Sequence, residues 1–184
     1  MVQPLPPVRR VLTGVNAAGK SYIAEDGVSP AMMTMEGRLG YRNNNLWRTL
    51  GPDADVNAPD TAVEHRGVLP PPSGTVIRVI DIPPEPKDAE ERDRATSSVF
   101  KAMFADADHK PDQRHPGMHT TATVDYAILL SGELWAIMDE DETLMRAGDI
   151  LIQRGTNHAW ANRSDQIARI AFILIDGKSP HRYK

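Results

Sequence analysis

Between residues 117 and 176 the chain returns about every ten residues to a short run of strand-forming side chains. The runs are Val124–Leu130, Leu134–Asp139, Glu142–Arg146, Asp149–Gln153, His158–Asn162 and Ala168–Ile175, and Ser131-Gly132, Ala147-Gly148 and Arg154-Gly155-Thr156-Asn157 stand at joints between them. Short strands with turn chemistry between them predict an antiparallel all-β sandwich or barrel. No stretch here sustains a 3.6-residue apolar period. Upstream, Thr75–Ile82 (TVIRVIDI) reads as a further strand with prolines on either side, where the missing N–H ends a ladder. The charged AEERDRA that follows suits one or two exposed helical turns. We therefore expect a mixed N-terminal extension over 1–68, packed on the barrel or on a partner subunit, and a barrel over 69–184.

Several of these strands are apolar on both faces. In VDYAILL, Val124, Tyr126, Ile128 and Leu130 alternate with Asp125, Ala127 and Leu129, and ARIAFILI is apolar at nearly every position. A strand with one wet face alternates, so the outer face needs a cover. The N-terminal zone or a second copy of the chain would provide one, and a homodimer is expected.

Composition removes other classes. The 184 residues include no cysteine, which excludes disulfides, thiolate metal sites and thiol catalysis. A net charge of −4 without a basic stripe gives counterion-release binding little to act on, so no nucleic-acid partner is expected. No membrane association is expected either. The N-terminus lacks the apolar core of a signal peptide and no window nears ~18 continuous apolar residues, from which we expect a cytoplasmic protein with a small-molecule ligand.

Residues 14–21, GVNAAGKS, match the phosphate-loop pattern G-x-x-x-x-G-K-[ST] letter for letter. That motif works by presenting backbone N–H groups and a helix N-terminus to phosphates. Here Gly27 and Pro30 stop any helix within two turns, and no parallel βαβ rhythm follows. The segment reads as a hairpin turn. Asp139-Glu140-Asp141-Glu142 lacks calcium-loop spacing and reads as a turn too.

Six histidines remain as carriers of chemistry. His65 and His109 lie in polar stretches expected to be exposed, and His181 lies in a polar tail. His115, His119 and His158 fall at strand edges. His119, Thr121 and Asp125 share parity, as do His158, Trp160 and Asn162, so each set faces one way on an extended strand. Two imidazoles and a carboxylate aimed into a small barrel make a 2-His-1-carboxylate set with open positions.

The stretches HPGMHTTATVDYAILLSGELW and AGDILIQRGTNHAWANRS resemble the two sequence motifs of the cupin superfamily, G-x5-H-x-H-x3-4-E-x6-G and G-x5-P-x-G-x2-H-x3-N. Aligned on Gly132, the motif glutamate falls on Asp125, the first histidine on His119 and the second on Thr121. In the second motif Gly148, Gly155, His158 and Asn162 match, with one residue fewer between the glycines and Gln153 where proline is usual. The resemblance implies a double-stranded β-helix, the cupin jelly-roll barrel, holding a divalent metal ion (iron, zinc, nickel or manganese) on His119, Asp125 and His158. His115 would be a substitute ligand, and Thr121 and Trp160 would line the pocket. Arg78 is expected on an exposed face; the alternative turns it inward toward a carboxylate substrate. The implied function is Lewis-acid chemistry on a small organic molecule, of lyase or isomerase type (dehydration, decarboxylation or isomerisation). An iron(II) dioxygenase or a non-catalytic small-molecule-binding cupin are the alternatives.

Overall fold

A computed structural model describes residues 3–178; His181 lies outside them. In chain order the strands are β1 (Arg9–Val15), β2 (Ser21–Val28), β3 (Met32–Thr34), β4 (Arg42–Thr49) and β5 (Thr75–Ile82), followed by helix α1 (Ala89–Met103). Then come β6 (Asp108–His109), β7 (His119–Thr120), β8 (Thr123–Ser131), β9 (Glu133–Met138), β10 (Glu142–Arg146), β11 (Ile150–Arg154), β12 (His158–Ala161) and β13 (Ala168–Asp176). Two antiparallel sheets form, in the orders β10-β9-β12-β7-β6 and β11-β8-β13-β5-β4-β3, while β1 and β2 pair only with each other. The all-β expectation holds, and the strands read from 75–82 and 124–175 are present with ends shifted by a residue or so.

Alternation explains which side chains meet between the sheets. Ala127, Leu129, Ile170, Phe172, Leu174, Val76 and Ile80 all point inward and are buried, and register sets Leu129 opposite Ile170 and Ala127 opposite Phe172. Gly132 turns β8 into β9 at φ +76°, where a Cβ would lie 3.0 Å from the Ala168 Cα. Glycine is the residue that tolerates both the φ and the approach.

Three features depart from the sequence reading. The helix runs 15 residues rather than one or two turns. The Asp88 side chain caps it by accepting the Glu91 N–H at 2.8 Å, and Thr96, Val99, Phe100 and Met103 form a buried i, i+3, i+4, i+7 stripe that begins where the charged run ends. Second, β4 and β3, from before residue 69, extend the six-stranded sheet through β5. Third, the N-terminal zone does not cover the outer face of β8 and β11, where Tyr126, Leu130, Ile150 and Ile152 are exposed.

The phosphate-loop look-alike is the turn of the β1–β2 hairpin. Asn16 Oδ1 accepts the N–H groups of Ala18 and Lys20, and Gly19 sits at φ +71°. No helix starts there. Among the described residues no helix is long and apolar enough to cross a membrane.

Candidate active site between the sheets

A cavity opens between the two sheets and under α1, with about 830 Å³ of space, part of it open to solvent. Its walls are chiefly apolar, with Ile80, Ile82, Val99, Phe100, Phe104 and Phe172 among them. His119, Asp125 and His158 all line it, as do Thr121, Trp160 and His115.

The two motif histidines meet because β7 and β12 pair with His158 directly opposite His119, a position that brings cross-strand side chains together. Their ring centroids lie 4.2 Å apart. The Nδ1 of His119 donates to the Gly117 carbonyl at 2.8 Å, and a carbonyl can only accept, so this ring carries its proton on Nδ1. The Nδ1 of His158 lies between an acceptor, the Thr156 carbonyl at 2.9 Å, and a donor, the Gln153 amide nitrogen. Gln153, in the position where proline is usual, donates Nε2–H to the Thr156 carbonyl and hydroxyl and sits 2.8 Å from the His158 Nδ1. The His119 ring also takes a hydrogen bond with the His158 backbone on the facing strand. Burial drives His119 down to about 4 and His158 to about 3, so both are neutral near pH 7.

No protein-family model matches the chain. Phomopsin biosynthesis cluster protein C' of Diaporthe leptostromiformis is 40% identical over 63 residues, a third of each chain. Oryzines biosynthesis cluster protein J of Aspergillus oryzae is 32% identical over 147 residues, 76% of this chain and 64% of that one. The chain thus spans less than two thirds of the length of these relatives. The cupin-domain-containing oxidoreductase srdD of Neurospora crassa is 26% identical over 187 residues, 95% of this chain and 80% of its own. The chain is thus similar in sequence to proteins named as cupin-domain-containing. A solved Cupin 2 conserved barrel domain protein from Salinispora arenicola aligns over 78% of this chain and 91% of its own, at 15% identity and a TM-score of 0.41.

Set against the cupin motif, the site departs where the sequence does. Thr121, in the second histidine's place, is buried and shares a 2.8 Å hydrogen bond with the Thr123 hydroxyl. Asp125 is buried with Oδ1 lacking any partner, and burial raises its carboxyl to about 6 against the pull of the Thr123 hydrogen bond and Arg78. The donor chemistry suits a divalent ion: two neutral imidazoles anchored at Nδ1, and an orphaned carboxylate oxygen in the same cavity. The convergence is incomplete, because among the described residues no three His, Cys, Asp or Glu side chains gather closely enough to hold a metal. The structure places two of the three expected ligands together and leaves Asp125 in the cavity wall.

His115 is no substitute ligand. Its Nδ1 accepts the Gly117 N–H at 2.9 Å and its Nε2 meets Glu85 Oε1 at 2.6 Å, which uses both ring nitrogens. Glu85, in the PPEPK segment, carried no signal in the sequence. Trp160 packs edge-on against His158 and Phe172. Arg78, expected on an exposed face, is 1% exposed. Parity puts it inward, paired across β5 and β13 with Phe172.

Arg78 donates to the Gly67 and Val68 carbonyls and to His65 Nε2 at 3.0 Å. His65, expected to be exposed, is therefore buried, with its Nε2 accepting. His109 is half-buried and stacks on Phe100 at 4.0 Å. Burial, then Arg78 and Arg48, press His65 down to about 4, with Asp106 opposing. The unfolded chain binds a proton on this ring near 6.5, so between those values it holds more protons than the folded one. Stability from His65 is complete above about pH 6.5 and is lost as pH falls to about 4. Urea unfolding at pH 7 and pH 5 checks this: wild type loses on the order of 1–2 kcal/mol more than His65→Gln over that interval, after solvent screening. Equal pH slopes would refute it.

Proposed function

We propose that this chain is a metal-dependent cupin enzyme acting on a small, largely apolar organic molecule held between its sheets. The observation that supports it is the histidine pair: two buried, neutral imidazoles from facing strands, directly opposite in register and with ring centroids 4.2 Å apart. His119 and His158 would hold the ion, with the carboxyl of Asp125 in the wall of the same cavity. Bound there, iron, zinc, nickel or manganese would supply Lewis-acid polarisation of a substrate oxygen, suited to dehydration, decarboxylation or isomerisation.

The remaining work falls to the chain itself. The Gly117 carbonyl holds the His119 ring tautomer. Phe100, Trp160 and Phe172 keep water from the rings and present an apolar wall to the substrate body. Asp125 Oδ1, with no protein donor, is the free acceptor for a substrate hydroxyl or proton. The relative srdD is named an oxidoreductase, which favours a second reading, iron(II)-dependent oxidation on the same residues.

Elemental analysis of protein purified without chelator tests the proposal. We expect about one divalent metal per chain, and in His119→Ala a loss of metal affinity exceeding the roughly 10–100-fold that removing a ligand's hydrogen-bond partner costs. Iron would select oxidation; zinc, nickel or manganese would select lyase or isomerase chemistry. A wild-type protein that holds no metal, and takes none up on dialysis against these ions, would overturn the metal-dependent reading in favour of a binding cupin.

A further inference from the structure

Resting on that reading of the cavity, we propose that the molecule it takes carries a carboxylate, and that the Arg38 guanidinium receives it. Arg38 stands between β3 and β4 and lines the cavity. A turn sets it there: the Tyr41 N–H donates to the Arg38 carbonyl at 3.0 Å, with Gly40 between them at φ +90°. Its Nε is buried without a partner. Among the described residues the guanidinium makes no hydrogen bond and no ion pair. Only its face is engaged, 5.2 Å from the centre of the Tyr41 ring.

Several other guanidiniums in this fold are provided for, although Arg92 Nε is also buried without a partner. Arg10 has Glu25 and Asp60, Arg42 and Arg169 share Asp81, and Arg78 has two carbonyls and His65. Arginine does not shed its proton in a protein, and a guanidinium partly withdrawn from water with a buried N–H lacking an acceptor is costly. The nearest acid in the cavity does not supply one. Glu85 attracts Arg38 but lies beyond ion-pair distance, with Oε1 committed to His115. An acceptor from outside the chain completes the site.

A guanidinium presents the planar two-donor fork that a carboxylate fills. Val99, Phe100, Ile80 and Ile82 form the walls nearby, so the acid has an apolar body, aromatic or branched.

Calorimetric titration of the full-length chain with matched acids and amides tests this: benzoate, phenylacetate and cyclohexanecarboxylate against benzamide, phenylacetamide and cyclohexanecarboxamide. At least one acid is expected to bind about tenfold or more tightly than its amide, as one charge-assisted pair gives. Arg38→Gln should remove that preference, and Arg38→Lys should keep part of it. Acids binding no better than amides, a preference that survives Arg38→Gln, or no binding by any acid would each overturn the inference. Equal binding of acid and amide would leave the cavity and its histidines standing as a neutral-ligand site, so this failure is distinct from failure of the metal test.

Discussion

Asp81→Ala is expected to lower the stability of this protein by about 3–5 kcal/mol, the loss seen when one side of a buried charge cluster is removed. Asp81 is fully buried at the point where β4, β5 and β13 run side by side, and register places Arg42 and Arg169 on either side of it. Its Oδ1 accepts from Arg169 Nε at 2.6 Å, and its Oδ2 from Arg169 Nη2 and Arg42 Nε at 2.9 Å each. The same two arginines reach out to the carbonyls of Leu5 and Pro6 and tie down the N-terminal segment. Removing the carboxylate leaves two guanidiniums facing each other in the sheet. Asp81→Asn keeps the shape and loses the charge, so it should show most of the same loss. Urea unfolding at pH 7 reads both variants. A loss below about 1 kcal/mol in Asp81→Ala, the level of an ordinary surface change, would contradict the account.

Phe100→Ala should cost a similar amount, about 3–5 kcal/mol, by opening a cavity under the helix. The ring is the contact between α1 and the site: it stacks on His109 with an interplanar angle of 2°, meets His119 edge-on at 4.9 Å, and packs against Phe104 at 6.1 Å. Phe100→Leu should recover more than half of the loss, since it restores volume but not ring geometry. Thermal unfolding of the two variants checks the stability term. If Phe100→Ala unfolds at the wild-type temperature, α1 is not held over the cavity as described. Placing α1 there also explains how the cavity between the sheets is partly closed: Thr96, Val99 and Phe100 of the helix form part of its wall.

The site was legible in the sequence only in part, and the boundary between the parts is physical. His119 and His158 stood out through local spacing, and the structure sets them opposite each other on paired strands. Asp125 stood out by the same spacing, yet local spacing says nothing about whether its oxygen reaches the others. In the fold it lines the same wall without joining them. Arg38 and Glu85 carried no pattern at all. Each lies in an irregular segment whose course is decided by what it packs on. His115 was visible as a histidine, but its engagement with Glu85, thirty residues away in the chain, was not.

Period-two alternation and glycine turns are properties of neighbouring residues, so the chain alone determined that it would form an antiparallel β barrel with its strands near their observed ends. It also determined that GVNAAGKS would be a turn, because no helix can follow it. Only the tertiary structure decided the length of α1, whose apolar stripe gains its meaning from the cavity beneath. It decided that Arg78 turns inward, and that Asp81 finds partners 39 and 88 residues away. Contacts at such separations depend on which strands pair and in what register, and these are settled by burial of the whole core rather than by any local run of residues.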